Sequence, residues 1–322
     1  MLKRYDLNPI ITRKDIPNVG NLIIDPSSVF NPGAIKVGNT YYLILRVQTR
    51  ARKTYFLLAE SKNGVNFSIN NEPIIFIGIE NYGKKIFHLY DARITHINGG
   101  YYIQFAMDTE DGCHLGLAKT DDFKSFYFIA ADEIDSRNGV IFPEKIGDKF
   151  VRFERPNKVQ LENGTMTGDK IWLSESDDLI TWNLVSPVMN GRFHYWDELI
   201  GSGPTPIKTQ KGWLHIYHGV ATHFGSSNIY QAGVSLHDLN DPSVVIARSR
   251  DNILEPRETY ELVGQVPNVV FPSGIIVEEF DENGFAKNNS EVKVYYGAAD
   301  TCIGLATATV EELINACYQG DI

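Results

Sequence analysis

The sequence predicts an all-β protein, a five-bladed β-propeller with a short C-terminal helix. Three observations support this fold. A pair of aromatic-rich strands recurs five times along the chain, at intervals of roughly 50–80 residues, as expected for propeller blades. Each copy consists of short strands bounded by turn residues. The 322 residues include 16 Tyr and 17 Phe, enough to fill a large aromatic core.

The five copies share one pattern: an aromatic strand, a break, and a second strand that ends in small, polar or acidic residues. They occupy residues 41–46 with 55–67, 101–105 with 115–123, 150–155 with 171–182, 212–218 with 230–236, and 292–297 with 302–307. A β-sandwich whose strand pairs resemble one another by chance is the alternative to a propeller.

The two ends of the chain are predicted to lie outside the repeat. Residues 1–29 are predicted to be an irregular N-terminal arm, because Pro9, Pro17 and Pro26 interrupt regular structure. Residues 309–322 are predicted to contain the helix, with Thr309 as its cap. Residues 1–322 together are expected to form a single domain, since a propeller of five blades accounts for this length.

Charge and cysteine content limit the partners of this protein. The net charge of -10 and pI near 5.3 argue against nucleic acid or an anionic membrane, which both require a basic face. The three cysteines, an odd number without metal-ligand spacing, indicate free thiols in a reducing compartment. With no signal peptide or membrane span recognised, we predict a cytoplasmic protein without metal or cofactor.

Polar residues in or beside an early strand of each region are expected to meet at the mouth of the central channel. The candidates are Asn31, Arg46, Asp91, Arg155, His218 and Asp300. Asp91 precedes an alternating, strand-like run over residues 94–105 and suits a general acid or a sugar ligand. Alternatively, Asp91 is a turn residue ion-paired with Arg93, and the other candidates only cap strand ends.

Several arginines indicate a local anion site in this acidic protein. Arg46, Arg50 and Arg52 follow the first strand, Arg137 precedes the third copy, and the guanidinium fork fits phosphate oxygens. For Arg50 and Arg152 an ordinary surface position is the preferred interpretation.

These segments resemble glycoside hydrolase family 130, the mannoside phosphorylases and β-mannosidases that fold as five-bladed propellers. The matching stretches are FNPGA (30–34), LILRV (43–47), YDARIT (90–95), RNGVIFPEK (137–145), RP (155–156), GSGPTPI (201–207), GWLHIYHGV (212–220), GQVPNVVFPSG (264–274) and YYGAADT (295–301). One departure is Ala92, where the family usually has proline.

The resemblance implies an inverting β-mannoside phosphorylase that transfers mannose to inorganic phosphate and forms α-mannose 1-phosphate. Asp91 matches the catalytic acid, which is thought to act through the mannose 3-hydroxyl. Asn31, Arg46, Tyr90 and Asp300 match sugar-binding positions, and Arg52, Arg137, Asn138, Arg155 and His218 match phosphate-binding positions. The Arg-rich loop 50–53 leaves the choice of Arg52 over Arg50 open.

Other functions are compatible with the same resemblance. A β-mannosidase of the family would use water and require a second carboxylate as base, and a carbohydrate-binding propeller would keep the sugar ligands without catalysis. Aromatic and polar residues of the 75–88 and 184–200 segments suit an acceptor sugar or, equally, the burial of a loop or an oligomer contact; these are Tyr82, Phe87, His88, His194, Tyr195 and Trp196. Linkage, acceptor and a homo-oligomeric state stay open.

Overall fold

The structure is a computed structural model that describes residues 1–160, 166–222 and 227–319. Within these ranges, five sheets, antiparallel except for the short edge strand Phe76–Ile77, form the blades of a propeller, as the sequence predicts. Each blade has four main strands, from an inner strand at the central channel to an outer strand at the rim. The fold is therefore all-β apart from a few short helical segments.

The blades follow one another in chain order, and the last one also includes the first strand of the chain. Blade 1 contains Ser28–Val37, Thr40–Gln48, Thr54–Ser61 and Ser68–Pro73, and blade 2 contains Ile86–Ile97, Gly100–Thr109, Gly112–Thr120 and Phe126–Ala131, with Phe76–Ile77 at its edge. Blade 3 contains Ser136–Ile141, Phe150–Pro156, Lys170–Ser176 and Asn183–Asn190, with the small hairpin Val159–Gln160 and Met166–Thr167. Blade 4 contains Leu199–Ser202 with Ile207–Thr209, Gly212–Ala221, Ile229–His237 and Val245–Arg248, and blade 5 contains Val270–Val277, Glu291–Ala298, Cys302–Thr309 and Lys3–Arg4.

The strand pairs of the five sequence copies are the second and third strands of the blades, and the inner strand precedes each copy. Asp91 therefore lies inside an inner strand, Ile86–Ile97, and the prediction that it precedes a strand is wrong. The alternating run over residues 94–105 is also two strands, because Asn98 and Gly99 turn the chain with φ of 48° and 81°.

Apolar side chains fill the spaces between neighbouring blades. The ring of Tyr42 in blade 1 stacks on Phe123 of blade 2 with 4.3 Å between ring centroids. Phe142, which follows the inner strand of blade 3, meets Trp213 of blade 4 edge-on at 5.1 Å. Truncating a buried aromatic of this kind typically costs about 3–5 kcal/mol of unfolding free energy. These contacts hold the blades in a fixed arrangement around the channel.

Four of the inner strands carry a register shift at the same level. The shifts lie between Phe30 and Gly33, Tyr90 and Arg93, Arg137 and Val140, and Pro272 and Gly274. The residues that directly follow Phe30, Tyr90 and Arg137 have a left-handed backbone. Their φ angles are 46° at Asn31, 56° at Asp91 and 54° at Asn138. A bulge re-aims side chains that regular alternation would place on a blade face. It turns these three toward the channel.

The N-terminal arm has more structure than its prolines suggest. Lys3–Arg4 pairs with Thr307 and Ala306 and forms the outermost strand of blade 5. Arg4 donates through Nε and Nη2 to the buried carboxylate of Glu261, each at 2.8 Å. The first residues of the chain thus close the ring of blades by completing the last one. The short helical segments Arg13–Asp15, Ile79–Tyr82 and Thr259–Leu262 were not predicted either.

The predicted C-terminal helix spans Val310–Tyr318, and Thr309 caps it by accepting from the backbone N–H of Glu312. Its Val310, Leu313 and Cys317 side chains are buried against blades 4 and 5. Residues 320–322 of the predicted 309–322 segment lie outside the described residues. No helix in the described part of the chain is long and apolar enough to cross a bilayer.

Candidate active site

One mouth of the channel opens into a polar cavity of about 370 Å³. All ten residues selected from the sequence line it. They are Asn31, Arg46, Arg52, Tyr90, Asp91, Arg137, Asn138, Arg155, His218 and Asp300. They come from all five blades or the loops that follow their strands, so only the closed propeller brings them together.

Asp91 is held by two side chains of blade 1. Its Oδ1 accepts a hydrogen bond from Asn31 Nδ2 and another from Arg46 Nη1, each at 2.9 Å. Its Oδ2 makes no hydrogen bond to a described residue. The carboxylate is thus fixed through one oxygen, and the other is available at the cavity.

Arg93 does not pair with the Asp91 carboxylate, so the alternative in which Asp91 is a turn residue neutralised by Arg93 is excluded. Arg93 Nη1 donates instead to the Asp91 backbone carbonyl at 2.7 Å, and its Nε donates to the carbonyl of Gly203 at 2.8 Å. Burial lowers the pKa of Arg93 to about 10. This buried cation ties the bulge of blade 2 to blade 4.

Arg46 is clamped between two aromatic rings. Its guanidinium carbon lies 4.4 Å from the centroid of Phe30 and 4.7 Å from that of Tyr90. Cation–π contacts of this kind restrict the guanidinium plane. Arg46 therefore reaches Asp91 in one orientation and keeps a buried Nε without a partner in the described structure.

Asp300 follows the second strand of blade 5 in a left-handed turn, with φ of 45° at Ala299 and 48° at Asp300. Burial raises the pKa of Asp300 to about 6; the cation of Arg46 opposes that rise and the charge of Asp91 adds to it. Asp300 is thus a weaker acid than an ordinary Asp.

Arg52, Arg137, Asn138, Arg155 and His218 form what we call the basic side of the cavity. Arg137 and Arg155 are direct partners on adjacent strands. Arg155 Nη1 lies 3.5 Å from His218 Nε2. Burial, together with the cations Arg155 and Arg93, lowers the pKa of His218 well below its ordinary value, so the imidazole is neutral and can be both donor and acceptor.

Gly201 and Gly297 leave room for two cavity side chains. A Cβ at Gly201 would lie 2.5 Å from His218 Cε1, and one at Gly297 would lie 1.9 Å from Asn31 Oδ1. Among equivalent second-strand positions, Arg46, Arg155 and His218 line the cavity, while Ala106 and Gly297, the register partners of Tyr90 and Phe271, do not.

Many polar atoms of the cavity are buried without a hydrogen-bond partner in the described structure. They are Asn31 Oδ1, Arg46 Nε, Arg137 Nε, Asn138 Oδ1, Arg155 Nε and His218 Nδ1. Buried polar atoms are normally paired, because an unpaired one costs free energy. A cavity lined in this way suits a ligand rich in hydroxyl and oxyanion groups.

Several further residues of this cavity were not expected from the sequence. They are Gln48, Thr54, Asp108, Tyr230, Val266, Val269 and Phe271. Asp108 matters most, since it is a third carboxylate beside Asp91 and Asp300, whereas only Asp91 had been considered as a possible acid or base. Its place near the end of a second strand, two residues beyond Ala106, which is at the level of Arg46 and Arg155, was the available signal.

The aromatic residues proposed for an acceptor do not form one surface. His88 lines the cavity, whereas Tyr82 packs against Phe128 at 6.0 Å between centroids. Phe87 is exposed. His194, Tyr195 and Trp196 line a separate depression of about 480 Å³ with Glu198, Ala221, Thr222 and Asp251.

Of the two loop arginines, both exposed, Arg52 lines the cavity and Arg50 does not. The surface position preferred for Arg152 is wrong. Arg152 is fully buried and ion-paired with Asp132 and Glu154. It lies in the middle of a strand of blade 3 and faces Asp132 of the preceding blade, which explains why a charge pattern alone could not locate it.

A larger cavity of about 470 Å³ opens at the opposite mouth. Its lining is mainly aliphatic, and its cations Lys36 and Lys208 are paired with Glu278 and Glu144. Within the described residues, no group of three or more His, Cys, Asp or Glu side chains could hold a metal ion. The convergence of unpaired polar groups therefore marks the smaller cavity as the candidate site.

Comparison with known proteins relates this site to one family. The model of glycoside hydrolase family 130, described as beta-1,4-mannooligosaccharide phosphorylase, matches residues 2–319. The beta-1,4-mannooligosaccharide phosphorylase of Ruminococcus albus is 31% identical over 97% of this chain and 89% of its own length. The 1,2-beta-oligomannan phosphorylase of Thermoanaerobacter sp. is 32% identical over 97% and 98%.

A solved structure extends the likeness to the fold. The beta-1,2-mannobiose phosphorylase from Listeria innocua, in complex with beta-1,2-mannobiose, superposes with a TM-score of 0.83 and 27% sequence identity. The match covers 98% of this chain and 99% of that one. The similarity therefore includes the whole propeller and is not confined to a few motifs.

Proposed function

The chain belongs to glycoside hydrolase family 130, and from this membership we propose that it is an inverting β-mannoside phosphorylase. It transfers a mannosyl unit from a β-mannoside to inorganic phosphate and releases α-mannose 1-phosphate with a shortened acceptor. The proposal rests on one observation: Asp91 and the residues of the basic side line the same cavity.

On the Asp91 side, the proposed roles are those of acid and sugar ligands. Asn31 and Arg46 fix one oxygen of Asp91, so that the other can deliver a proton through the mannose 3-hydroxyl toward the glycosidic oxygen. The unpaired Asn31 Oδ1 and Arg46 Nε, with Tyr90 and Asp300, supply hydrogen bonds to the mannose hydroxyl groups. Holding the ring in this way lowers the entropy cost of attack.

On the basic side, the proposed ligand is inorganic phosphate. Arg52, Arg137 and Arg155 offset its negative charge, while Asn138 and neutral His218 hydrogen-bond its oxygens. The unpaired Nε atoms of Arg137 and Arg155 and the unpaired Nδ1 of His218 support this role. Phosphate is already an anion, so it attacks the anomeric carbon without a general base, and the reaction inverts the configuration.

The rival within the family is a β-mannosidase, which requires a carboxylate base for water. Asp108 is the added carboxylate that would have to fill this role. Its Oδ1 accepts from the Tyr90 hydroxyl at 2.7 Å and lies 4.0 Å from Arg137 Nη2. Asp108 is thus already bound by Tyr90, and the arginine beside it offers a cation that phosphate can use and water does not need, which favours phosphorolysis.

Turnover with and without inorganic phosphate tests the proposal. We expect a β-mannooligosaccharide to give mannose 1-phosphate only when phosphate is present. Asp91→Asn, which keeps the shape and both hydrogen bonds possible, should lose turnover by several orders of magnitude while it still binds the sugar. Equal release of free mannose with and without phosphate would contradict phosphorolysis and favour the mannosidase.

Three further assignments belong to this proposal. We propose that residues 1–322 act as a single catalytic domain, in keeping with a family match over residues 2–319. The three cysteines are free and buried, which supports a reducing, cytoplasmic location. The relatives are named for both β-1,2- and β-1,4-linked mannosides, so reverse phosphorolysis from mannose 1-phosphate with a panel of acceptor sugars would define the linkage.

A further inference from the structure

The cavity contains one carboxylate with no part in the chemistry above, Asp108 near the end of Gly100–Thr109. Its Oδ1 is occupied by the Tyr90 hydroxyl at 2.7 Å and lies within 4.0 Å of Arg137 Nη2. Its Oδ2 makes no hydrogen bond to a described residue, and 38% of the side chain is exposed. One oxygen is thus fixed, and the other is open to a ligand held beside Arg137.

We propose that Asp108 determines anion specificity by accepting a hydrogen bond from a P–OH group of the bound phosphate. The inference rests on the proposed function, because it takes Arg137 and its neighbours as phosphate ligands. An ionised carboxylate only accepts hydrogen bonds. An oxyanion next to Asp108 must therefore bring a proton, which phosphate does at neutral pH and sulfate does not. The site selects phosphate over an ion of the same shape and size.

The charges of the cavity allow a carboxylate beside a bound anion. Four arginines and three aspartates of the described chain line it, so the cations exceed the anions by one when all are ionised. With Asp91 protonated as the acid, the excess is two positive charges, which balances a phosphate dianion. A lone carboxylate would repel the anion, but Asp108 lies near Arg137 and attracts the P–OH group instead.

A purely structural role for Asp108 is the competing explanation. In that case it would only hold the Tyr90 hydroxyl and the Arg137 guanidinium in place. Asp108→Asn separates the two roles, because the amide oxygen can still accept from Tyr90. Its NH₂ group then faces the ligand and donates to an oxygen of either anion. Specificity should change while the hydrogen bond to Tyr90 is kept.

Calorimetric titration with inorganic phosphate and with sulfate gives the decisive comparison. The wild-type protein should prefer phosphate, and Asp108→Asn should reduce the ratio of the two affinities by about 10- to 100-fold, the range for a hydrogen bond to a charged group. Asp111→Asn is the matched control, since Asp111 lies in the same hairpin, outside the cavity, paired with Lys84. It should keep the wild-type ratio.

Each other outcome has a defined meaning. An unchanged ratio in Asp108→Asn with phosphate binding intact would overturn the inference and leave the proposed function standing. Equal weakening of both anions would assign Asp108 the structural role and overturn the inference too. Failure of the wild-type protein to bind phosphate would overturn the proposed function itself. Asp108→Ser, which can also donate to either anion, serves if Asp108→Asn does not fold.

Discussion

Three cavity residues have their positions because of the same backbone conformation. Asn31, Asp91 and Asn138 lie at bulges of inner strands with φ between 46° and 56°. This left-handed region costs roughly 1 kcal/mol for most residues and less for Asn and Asp, whose short polar side chains tolerate it. Packing between the blades offsets the cost. The bulge directs a polar side chain to the channel axis from the middle of a buried strand.

Gly297→Ala should damage the site without unfolding the propeller. A Cβ there would lie 1.9 Å from Asn31 Oδ1 and 2.9 Å from the Asn31 backbone nitrogen. Asn31 must then move and release its hydrogen bond to Asp91. We expect kcat/KM for phosphorolysis to fall about 10- to 100-fold, the effect of one hydrogen bond to a charged group.

A double-variant cycle with Asn31→Ala tests whether Gly297→Ala acts by displacing Asn31. Removing the Asn31 side chain also removes the main clash, so Gly297→Ala should add little to the loss that Asn31→Ala causes alone. Losses that add independently would show that Gly297→Ala acts through the backbone of blade 5 rather than through Asn31.

Asp300 makes the unfolding free energy depend on pH. Burial raises the pKa of Asp300 from 3.8 to about 6. Between these values the folded protein keeps a proton that the unfolded chain has released, so the stability from this group falls as pH rises from about 4 to about 6. The full loss is at most about 3 kcal/mol. Asp300→Asn should lack it.

Urea unfolding of both proteins between pH 4 and pH 7 measures this contribution. The wild-type protein should lose stability relative to Asp300→Asn as the pH rises, and the difference should level off above about pH 7. Parallel pH profiles for the two proteins would contradict the raised pKa.

At the scale of elements, a buried ion pair joins the N-terminal strand to the Thr259–Leu262 helix. Arg4 donates twice to Glu261, which also accepts from the backbone N–H groups of Arg257 and Glu258. Burial would raise the pKa of Glu261, and Arg4 with these N–H groups lowers it below the ordinary value. Glu261 is therefore an anion with no exposed surface that depends on a residue at the start of the chain.

Arg4→Ala should destabilise the protein by about 3 kcal/mol, because it leaves a buried carboxylate without its cation. Arg13→Ala removes a comparable but exposed ion pair with Asp25 and should cost less than about 1 kcal/mol. Chemical unfolding at neutral pH compares the two variants. Similar losses would mean that Arg4 contributes as an ordinary surface charge.

The elements differ in how far the sequence predicts them. The second and third strands of each blade were recognised because they alternate regularly and carry aromatic residues, as in residues 41–46. The inner strands were not, since bulges at Asn31, Asp91 and Asn138 break the period of two on which strand recognition rests. Lys3–Arg4 is too short to have a period, and only its partner in blade 5 makes it a strand.

For the molecule as a whole, the site forms only when the five blades close into a ring. No single blade contains both Asp91 and the basic side, and residues separated by more than 250 positions, such as Asn31 and Asp300, meet only in the closed propeller. The resemblance to a known family could supply these residues one by one. Composition and spacing could not, because no local pattern encodes which blades face each other. The same reasoning explains why Asp108, which no motif includes, was missed.

A ligand held by several blades should stabilise the whole propeller. Arg52 comes from blade 1, Arg137 and Arg155 from blade 3, and His218 from blade 4, so phosphate bound among them links three blades and binds only the folded state. Phosphate at about 100 times its Kd should add about 2.7 kcal/mol to the unfolding free energy, a rise of several degrees in Tm.

Arg155→Ala should lose most of this rise, whereas Arg50→Ala, which removes an exposed arginine of the neighbouring loop, should keep it. The comparison uses the shift caused by phosphate in each protein, because Arg155→Ala also lowers the Tm without ligand. A shift of the same size in all three proteins would place phosphate elsewhere and contradict the basic side as its binding site.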